Sequence, residues 1–165
     1  MSYQKKLLSP KQAIKVSSDL KKNGERLILT GGCFDILHKG HVMFIQKAKE
    51  QTGTHFILLE NDASIKKSKG PNRPIHSQED RAYVLAHLTD VDYIVLLPGE
   101  MGDQDYDELI FALKPAIIAT TKGDPTKIHK LRQAKSVGAK LVEVVKPIKN
   151  TSTSQLEQKI IDLIN

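Results

Sequence analysis

Short apolar runs alternate with longer stretches of helical spacing along almost the whole chain, and this alternation narrows the possible folds more than any other feature. The runs RLILT (26–30), HFILLE (55–60), DYIVLL (92–97), AIIAT (116–120) and KLVEVV (140–145) are short and mostly apolar. Strands buried on both faces of a parallel sheet have this composition. Segments of helical spacing occupy 10–22, 41–51, 77–88, 104–113, 125–137 and 153–164. Their ends carry stop and start signals: Gly53 after the second, Ser77 with Asp80 at the start of the third, Pro125 and Gly138 around the fifth. The pattern predicts an α/β fold, a single doubly wound domain with a five-stranded parallel sheet flanked by helices. Residues 1–25 read as an N-terminal helical extension and 26–165 as the functional domain. The stretch NDASIKKSKGPNRPIH (61–76) reads as a long irregular loop. A loop of that length in a compact domain is usually functional.

The chain has 165 residues, enough to bury a core without disulfides or a structural metal. Cys33 is the one cysteine, so no disulfide closes within the chain, which suits a reducing cytosol. The opening MSYQKKLLSPKQ lacks the apolar core of a signal peptide, and no apolar stretch has the length of a membrane span. A cytoplasmic protein with no membrane partner is expected. The formal charge of +6 fits an anionic partner, but the lysines fall in short scattered clusters. Trp is absent and aromatics are 5% of residues, which argues against a base-stacking surface for nucleic acid. A phosphorylated small molecule remains the partner of choice.

The chemistry gathers in GGCFDILHKGH, Gly31 to His41, directly after the first apolar run. Ligands of open parallel sheets bind beyond the carboxyl ends of the strands. Gly31 and Gly32 let backbone approach a ligand, and Gly40 opens the start of the next helix, where free N–H groups attract anions. His38 and His41 then offer two ring donors to the same spot. A zinc site would want three or four ligands at metal spacing, and Cys33 and Asp35 do not supply that pattern. A dinucleotide turn would need G-x-G-x-x-G, which is absent. A structural histidine pair is the remaining alternative. A phosphate clamp fits best.

GCFDILHKGH resembles the G-x-F-D-x-x-H-x-G-H signature of the cytidylyltransferase-like nucleotidyltransferase superfamily. KGPNRPIHSQEDRAYVLAHLTDVDYIV is similar to a segment of the adenylyltransferase domain of ADP-heptose synthase, and NTSTSQL to the Ser/Thr-rich turn that opens the last helix there. The similarity covers about 27–161. It implies a Rossmann-like fold and an enzyme that transfers a nucleoside monophosphate from ATP or CTP to a phosphorylated small molecule. Pyrophosphate leaves, and Mg²⁺ accompanies the triphosphate. The closest resemblance is to heptose 1-phosphate adenylyltransferase. Alternatives are a CTP-dependent enzyme for glycerol 3-phosphate or a similar alcohol phosphate, an FMN adenylyltransferase, or a nucleotide sensor without turnover. Relatives are often homodimers.

By the same resemblance His38, His41 and Lys69 are the expected catalytic residues. Gly32, Cys33, Phe34, Asp35 and Gly40 would meet the nucleotide, with Asp35 ordering the loop or helping to hold Mg²⁺ and Phe34 packing into the core. Lys122, Gly123 and Asp124, then Ser152, Thr153 and Ser154, would complete the nucleotide site. Arg73, Arg81 and Asn61 would face the second substrate, and no resident metal is expected. Lys66 and Lys67 are weaker candidates. The chain departs from heptose enzymes in ATTKGDPTK, which lacks one glycine and the tyrosine of their K-G-G-D-Y turn, and in Glu60, an added negative charge near the substrate side.

Overall fold

The computed structural model describes residues 2–147, 153, 156 and 161–163. A 3₁₀ turn (Tyr3–Lys6) leads into β1 (Leu7–Leu8) and α1 (Pro10–Lys22). Then come β2 (Leu27–Gly32), α2 (Lys39–Lys49), β3 (Thr54–Leu59), α3 (Asp62–Lys69), α4 (Gln78–Ala86) and β4 (Tyr93–Leu96). The order continues with α5 (Asp103–Leu113), β5 (Ile117–Thr121), α6 (Lys127–Val137) and β6 (Lys140–Val145). Residues 153, 156 and 161–163 are helical, in the region expected for the last helix.

The strands form one sheet in the order β1-β4-β3-β2-β5-β6, and every neighbouring pair is parallel. The order turns at β2, which has β3 on one side and β5 on the other. The crevice beyond the carboxyl ends of β2 and β5 is therefore the topological switch point. The segment 31–41 leaves the sheet there.

Alternate residues of each strand feed opposite layers. Leu27, Leu29, Phe56, Leu58 and Val95 pack with Ala13 of α1, Leu109, Ile110 and Leu113 of α5, and Ala134 of α6. Ile57, Leu59 and Ile94 pack on the other face with Phe44 and Ile45 of α2 and Ala82, Leu85 and Ala86 of α4. The central strand β2 opens with four buried residues in a row, which is why it shows no polar alternation.

The expected caps form. Ser77 accepts from the Asp80 N–H at 3.1 Å, and Gly138 ends α6 in the left-handed region at φ 71°. Ser9 and Gln12 close a capping box on α1 with Pro10 at its first position. Gly53 does a different job from the helix stop expected of it: α2 ends at Lys49, and a Cβ at Gly53 would stand 2.5 Å from the Arg26 carbonyl oxygen. The glycine lets the α2–β3 turn close onto the start of β2.

Two expectations are corrected. The sheet has six strands, because Leu7 and Leu8 pair with Ile94 and Val95 at its edge. Two residues are too few to show a period. The N-terminal 25 residues thus contribute an edge strand and a packed helix to the same sheet. The second correction is α3, inside the stretch read as a loop. Ile65 is its one buried residue, so no amphipathic pattern announces it. Asn61 starts it by accepting from the Ser64 N–H at 2.9 Å.

Candidate active site

The chain leaves β2 through Gly32 and turns sharply at Phe34, whose φ of 46° is left-handed. The Phe34 ring is buried, and a Cβ on Gly32 would sit 3.1 Å from its edge. Gly32 is thus small to seat Phe34. Phe34 belongs to the core, as its apolar ring suggests, and also edges the cleft described below.

His38 is the N-cap of α2. Its Nδ1 accepts the Gly40 N–H at 3.1 Å, so in the neutral ring Nε2 carries the proton. The Gly40 N–H, expected to be open to an anion, is already used. The His38 and His41 rings stack with centroids 3.8 Å apart at 25°, and Phe34 lies 5.2 Å from His41 on centroids. Burial first, then the nearby His38 and Lys69 charges, push the His41 pKa down to about 4, with the Ile36 carbonyl opposing. Burial also lowers that of His38. Both rings are neutral at pH 7. His41 Nδ1 is buried with no hydrogen-bond partner among the described residues.

Lys69 is the last residue of α3, and its ammonium donates to Cys33 Sγ at 2.9 Å. A helix therefore delivers this lysine to the β2 exit. Lys67 points elsewhere and pairs with Glu100 at 2.6 Å. From the far side of the switch point come Thr121, Lys122, Gly123 and Asp124. Gly123 adopts φ 77°, and the Lys122 N–H ties to the Val145 carbonyl at 2.8 Å. These segments enclose a cleft of about 460 Å³ together with His41. That is within the range of small-ligand sites. Its charged lining is Lys69, Lys122, Lys130 and Asp124, a positive balance.

Asp124 is held within the protein. It accepts from the Thr126 N–H at 2.8 Å, from the Thr126 and Thr120 hydroxyls, and from Lys130. Burial alone would raise its pKa, but the Lys130, Thr120 and Thr126 donors hold the carboxyl well below the usual carboxylate range. It shapes the β5–α6 turn and fixes Lys130, a cleft residue that sequence reading missed. The signal available was its place one turn into α6, next to the carboxyl end of β5.

Four expected ligand contacts prove to be internal. The Asp35 side chain has no exposure; it pairs with Arg73 Nε at 2.6 Å and accepts from the Ile75 N–H at 2.9 Å and the His76 N–H at 3.0 Å. Burial opposes its ionisation, yet these donors keep its pKa below the ordinary value. Of the two roles open to it, loop ordering is the one it performs here. Arg73, expected at the second substrate's phosphate, is buried in that same pairing.

Arg81, also expected at the second substrate, lies fully buried under the loops. It donates to the carbonyls of His76 at 3.0 Å, Cys33 at 2.6 Å and Glu60 at 2.9 Å, and pairs with Asp62 at 2.6 Å. Asn61 caps α3 and donates to the Pro98 and Gly99 carbonyls, which spends its side chain on the backbone. These residues position the site. Thr153 is helical and buried; Ser152 and Ser154 lie outside the described residues.

Among the described residues no three His, Cys, Asp or Glu side chains converge on a metal position. No described helix is long and apolar enough to cross a membrane.

The structure is thus a parallel α/β sheet with a cationic cleft, lined by His41, at its switch point, where open sheets of this kind bind ligands. Residues 29–159 match the family model described as cytidylyltransferase-like, and the chain belongs to that family. Among curated proteins it is 50% identical over 103 residues to the bifunctional protein HldE of Nitratiruptor sp., covering 62% of this chain and 21% of that protein. It is 39% identical over 160 residues to the bifunctional protein HldE of Wolinella succinogenes, covering 95% of this chain and 31% of that one. The chain thus spans less than a third of the length of these relatives.

Among solved structures it resembles a lipopolysaccharide core biosynthesis protein from Thermoplasma volcanium, with a TM-score of 0.60, 22% identity, and coverage of 76% of this chain and 98% of that one. A pantoate-β-alanine ligase from Francisella tularensis gives a TM-score of 0.62 at 13% identity, covering 92% of this chain and 72% of that one. At such identities these two matches speak for the fold.

Proposed function

We propose that the protein is a nucleotidyltransferase that moves a nucleoside monophosphate from a nucleoside triphosphate to a sugar phosphate. The pair we assign is ATP and heptose 1-phosphate. One observation carries the reading: His41, stacked on His38, lines one positive cleft at the switch point together with Lys69 and Lys122, residues from three distant segments. Family membership and the HldE relatives support it. The resemblance of 69–95 to the adenylyltransferase domain of ADP-heptose synthase favours ATP and a heptose phosphate.

In this reading a phosphate oxygen of the acceptor attacks the α-phosphorus in line. The bond from that phosphorus to the bridging oxygen of the β-phosphate breaks, and pyrophosphate leaves with the electron pair. A phosphate monoester has a second pKa of about 6, so the nucleophile is mostly dianionic and needs no general base. The protein's work is positioning and charge stabilisation. His38 Nε2–H and a ring N–H of His41 donate to the α-phosphate oxygens, where charge builds. Lys69 and Lys122 neutralise the β- and γ-phosphates. Backbone at 32–33 borders the triphosphate, and by the family resemblance Ser152, Thr153 and Ser154 would offer it hydroxyl and N–H groups. Mg²⁺ enters on the triphosphate as part of the substrate. A homodimer and a cytoplasmic setting belong to the same proposal.

Pyrophosphate release, measured with Mg²⁺, tests it. ATP and CTP are each crossed with heptose 1-phosphate, other sugar 1-phosphates, glycerol 3-phosphate and FMN. Release with ATP and heptose 1-phosphate is expected. Release with CTP and glycerol 3-phosphate instead would replace both substrates. Nucleotide binding with no release from any pair would mean a sensor.

A further inference from the structure

A second cavity, of about 390 Å³, opens on the opposite layer of the sheet from α2, between the sheet, α5 and α6. Its floor is apolar: Leu29, Leu58, Ile110 and Ile118. It shares Gly31, Gly32 and Lys130 with the cleft of the histidines. Two ligands in these spaces would meet at the end of β2. Across the floor the Tyr106 hydroxyl donates to Glu60 Oε1 at 2.6 Å.

We propose that this cavity receives the hydroxyl-rich body of the acceptor, and that Glu60 and Tyr106 are the residues that read it. The proposal rests on the transferase reading above and names the acceptor class for the same site. Glu60 is ionisable and partly buried, and beside that apolar floor the lining carries Thr126, Lys130, Gln133 and the Asp103–His129 pair, 3.3 Å apart. One carboxylate oxygen takes the phenol. The remaining acceptor positions need donors, and a carboxylate turns away a second anion. Hydroxyl groups satisfy both conditions. Burial and the neighbouring Glu60 push the Tyr106 pKa up, so the phenol keeps its proton and offers its oxygen lone pairs to a further donor. The apolar floor suits the C–H face of a sugar ring.

Charge sets the acceptor's direction. Lys130, fixed by Asp124 and Thr120, stands at the wall common to both spaces, whereas Glu60 and Asp103, the latter beside His129, contribute negative charge to the second cavity. An acceptor with one phosphate would turn it toward Gly31, Gly32 and Lys130 and leave its neutral polyol end with Glu60. That places the nucleophilic oxygen on the side where the α-phosphate lies in the proposed reaction. Acceptors carrying a second anionic group at the far end are disfavoured. Glu60 thereby becomes a selector of acceptor chemistry.

Calorimetric titration with heptose 1-phosphate, in the presence of a non-hydrolysable ATP analogue, tests the cavity without requiring turnover. Wild-type protein, Glu60→Gln and Tyr106→Phe are compared; both changes are near-isosteric. Each variant should weaken sugar-phosphate binding by about tenfold or more, as loss of a hydrogen bond involving a charged group does. Affinity for the ATP analogue should stay within about twofold. Where turnover is measurable, acceptor KM should rise while that for ATP does not, and preference for heptose 1-phosphate over glycerol 3-phosphate should shrink. Unchanged sugar-phosphate affinity in both variants, or no binding by the wild type, overturns the assignment. Pyrophosphate release that persists with unaffected variants would sink the acceptor cavity alone. Glu60-dependent binding with no release from any substrate pair would sink the reaction alone.

Discussion

The imidazoles of His38 and His41 lie face to face, 3.8 Å between centroids, and His38 is locked in this pose by the Gly40 N–H. Two charged rings at that distance would repel, and both pKa values are low. The pair is neutral at pH 7, and in the proposed reaction it acts as a set of ring donors. In the proposed reaction a nucleoside triphosphate would supply the negative charge that lets the rings donate strongly, or take up a proton.

His41→Ala should therefore lower turnover by about two orders of magnitude or more, the usual size of a lost charge-stabilising donor, with the thermal midpoint nearly unchanged. Steady-state kinetics alongside circular dichroism checks this. Turnover near the wild-type level would remove the histidine pair from the mechanism.

Acid should weaken the fold through the same residue. An unfolded histidine titrates near 6.5, while folded His41 takes its proton only near about 4. Between those values the unfolded chain binds more protons, so stability rises with pH across the window and falls on acidification. Buried His55, whose pKa is also lowered, first by burial, adds to the slope. Urea denaturation at pH 7, 6 and 5 should show the decline, and His41→Gln should make it shallower. A flat profile in the wild type would contradict the burial argument.

Lys69→Ala should cut kcat/KM for the nucleotide by about tenfold or more, since a charge-assisted phosphate contact is lost. Lys67→Ala, two residues away but turned to Glu100 on the surface, should leave it within about twofold. Equal losses in both would mean that general positive charge matters and position does not.

Arg81→Ala should destabilise the fold by about 3 kcal/mol or more, because three backbone carbonyls and Asp62 lose a fully buried partner. For a domain of this size that is a fall of roughly 6–12 °C in Tm. Arg81→Lys should recover little, as one ammonium cannot span four acceptors in that fork. A variant as stable as wild type but unable to bind acceptor would return Arg81 to the substrate side.

The contrast between His38 and Arg81 shows what the sequence discloses. The histidines, glycines and the strand before them are neighbours in the chain, so their spacing announced both the turn and its place at the carboxyl end of the sheet. Ser77 and Gly138 were legible for the same local reason. Arg81 meets Cys33 across 48 positions of sequence, and Asp35 meets Ile75 across 40. Nothing local tells whether such a charge faces a ligand or a carbonyl. Helix α3 was hidden because a single buried residue, Ile65, holds it to the body of the protein. Tyr106 gave no signal beyond its position on a helix, and its pairing with Glu60 is visible only in three dimensions.

Arg81 grips the ends of β2 and β3, the start of α3 and the approach to α4 at one point. Those four segments are coupled like spokes at a hub, and a displacement of any one is passed to the others. Helix α3, which bears Lys69, and the turn at Cys33 therefore have little independent play. The wall formed by α5 joins that hub through a single side chain, for the Tyr106 hydroxyl donates to the carboxylate of Glu60, whose carbonyl Arg81 holds. A change at Tyr106 would loosen the acceptor side of the proposed site and leave the Arg81 hub intact.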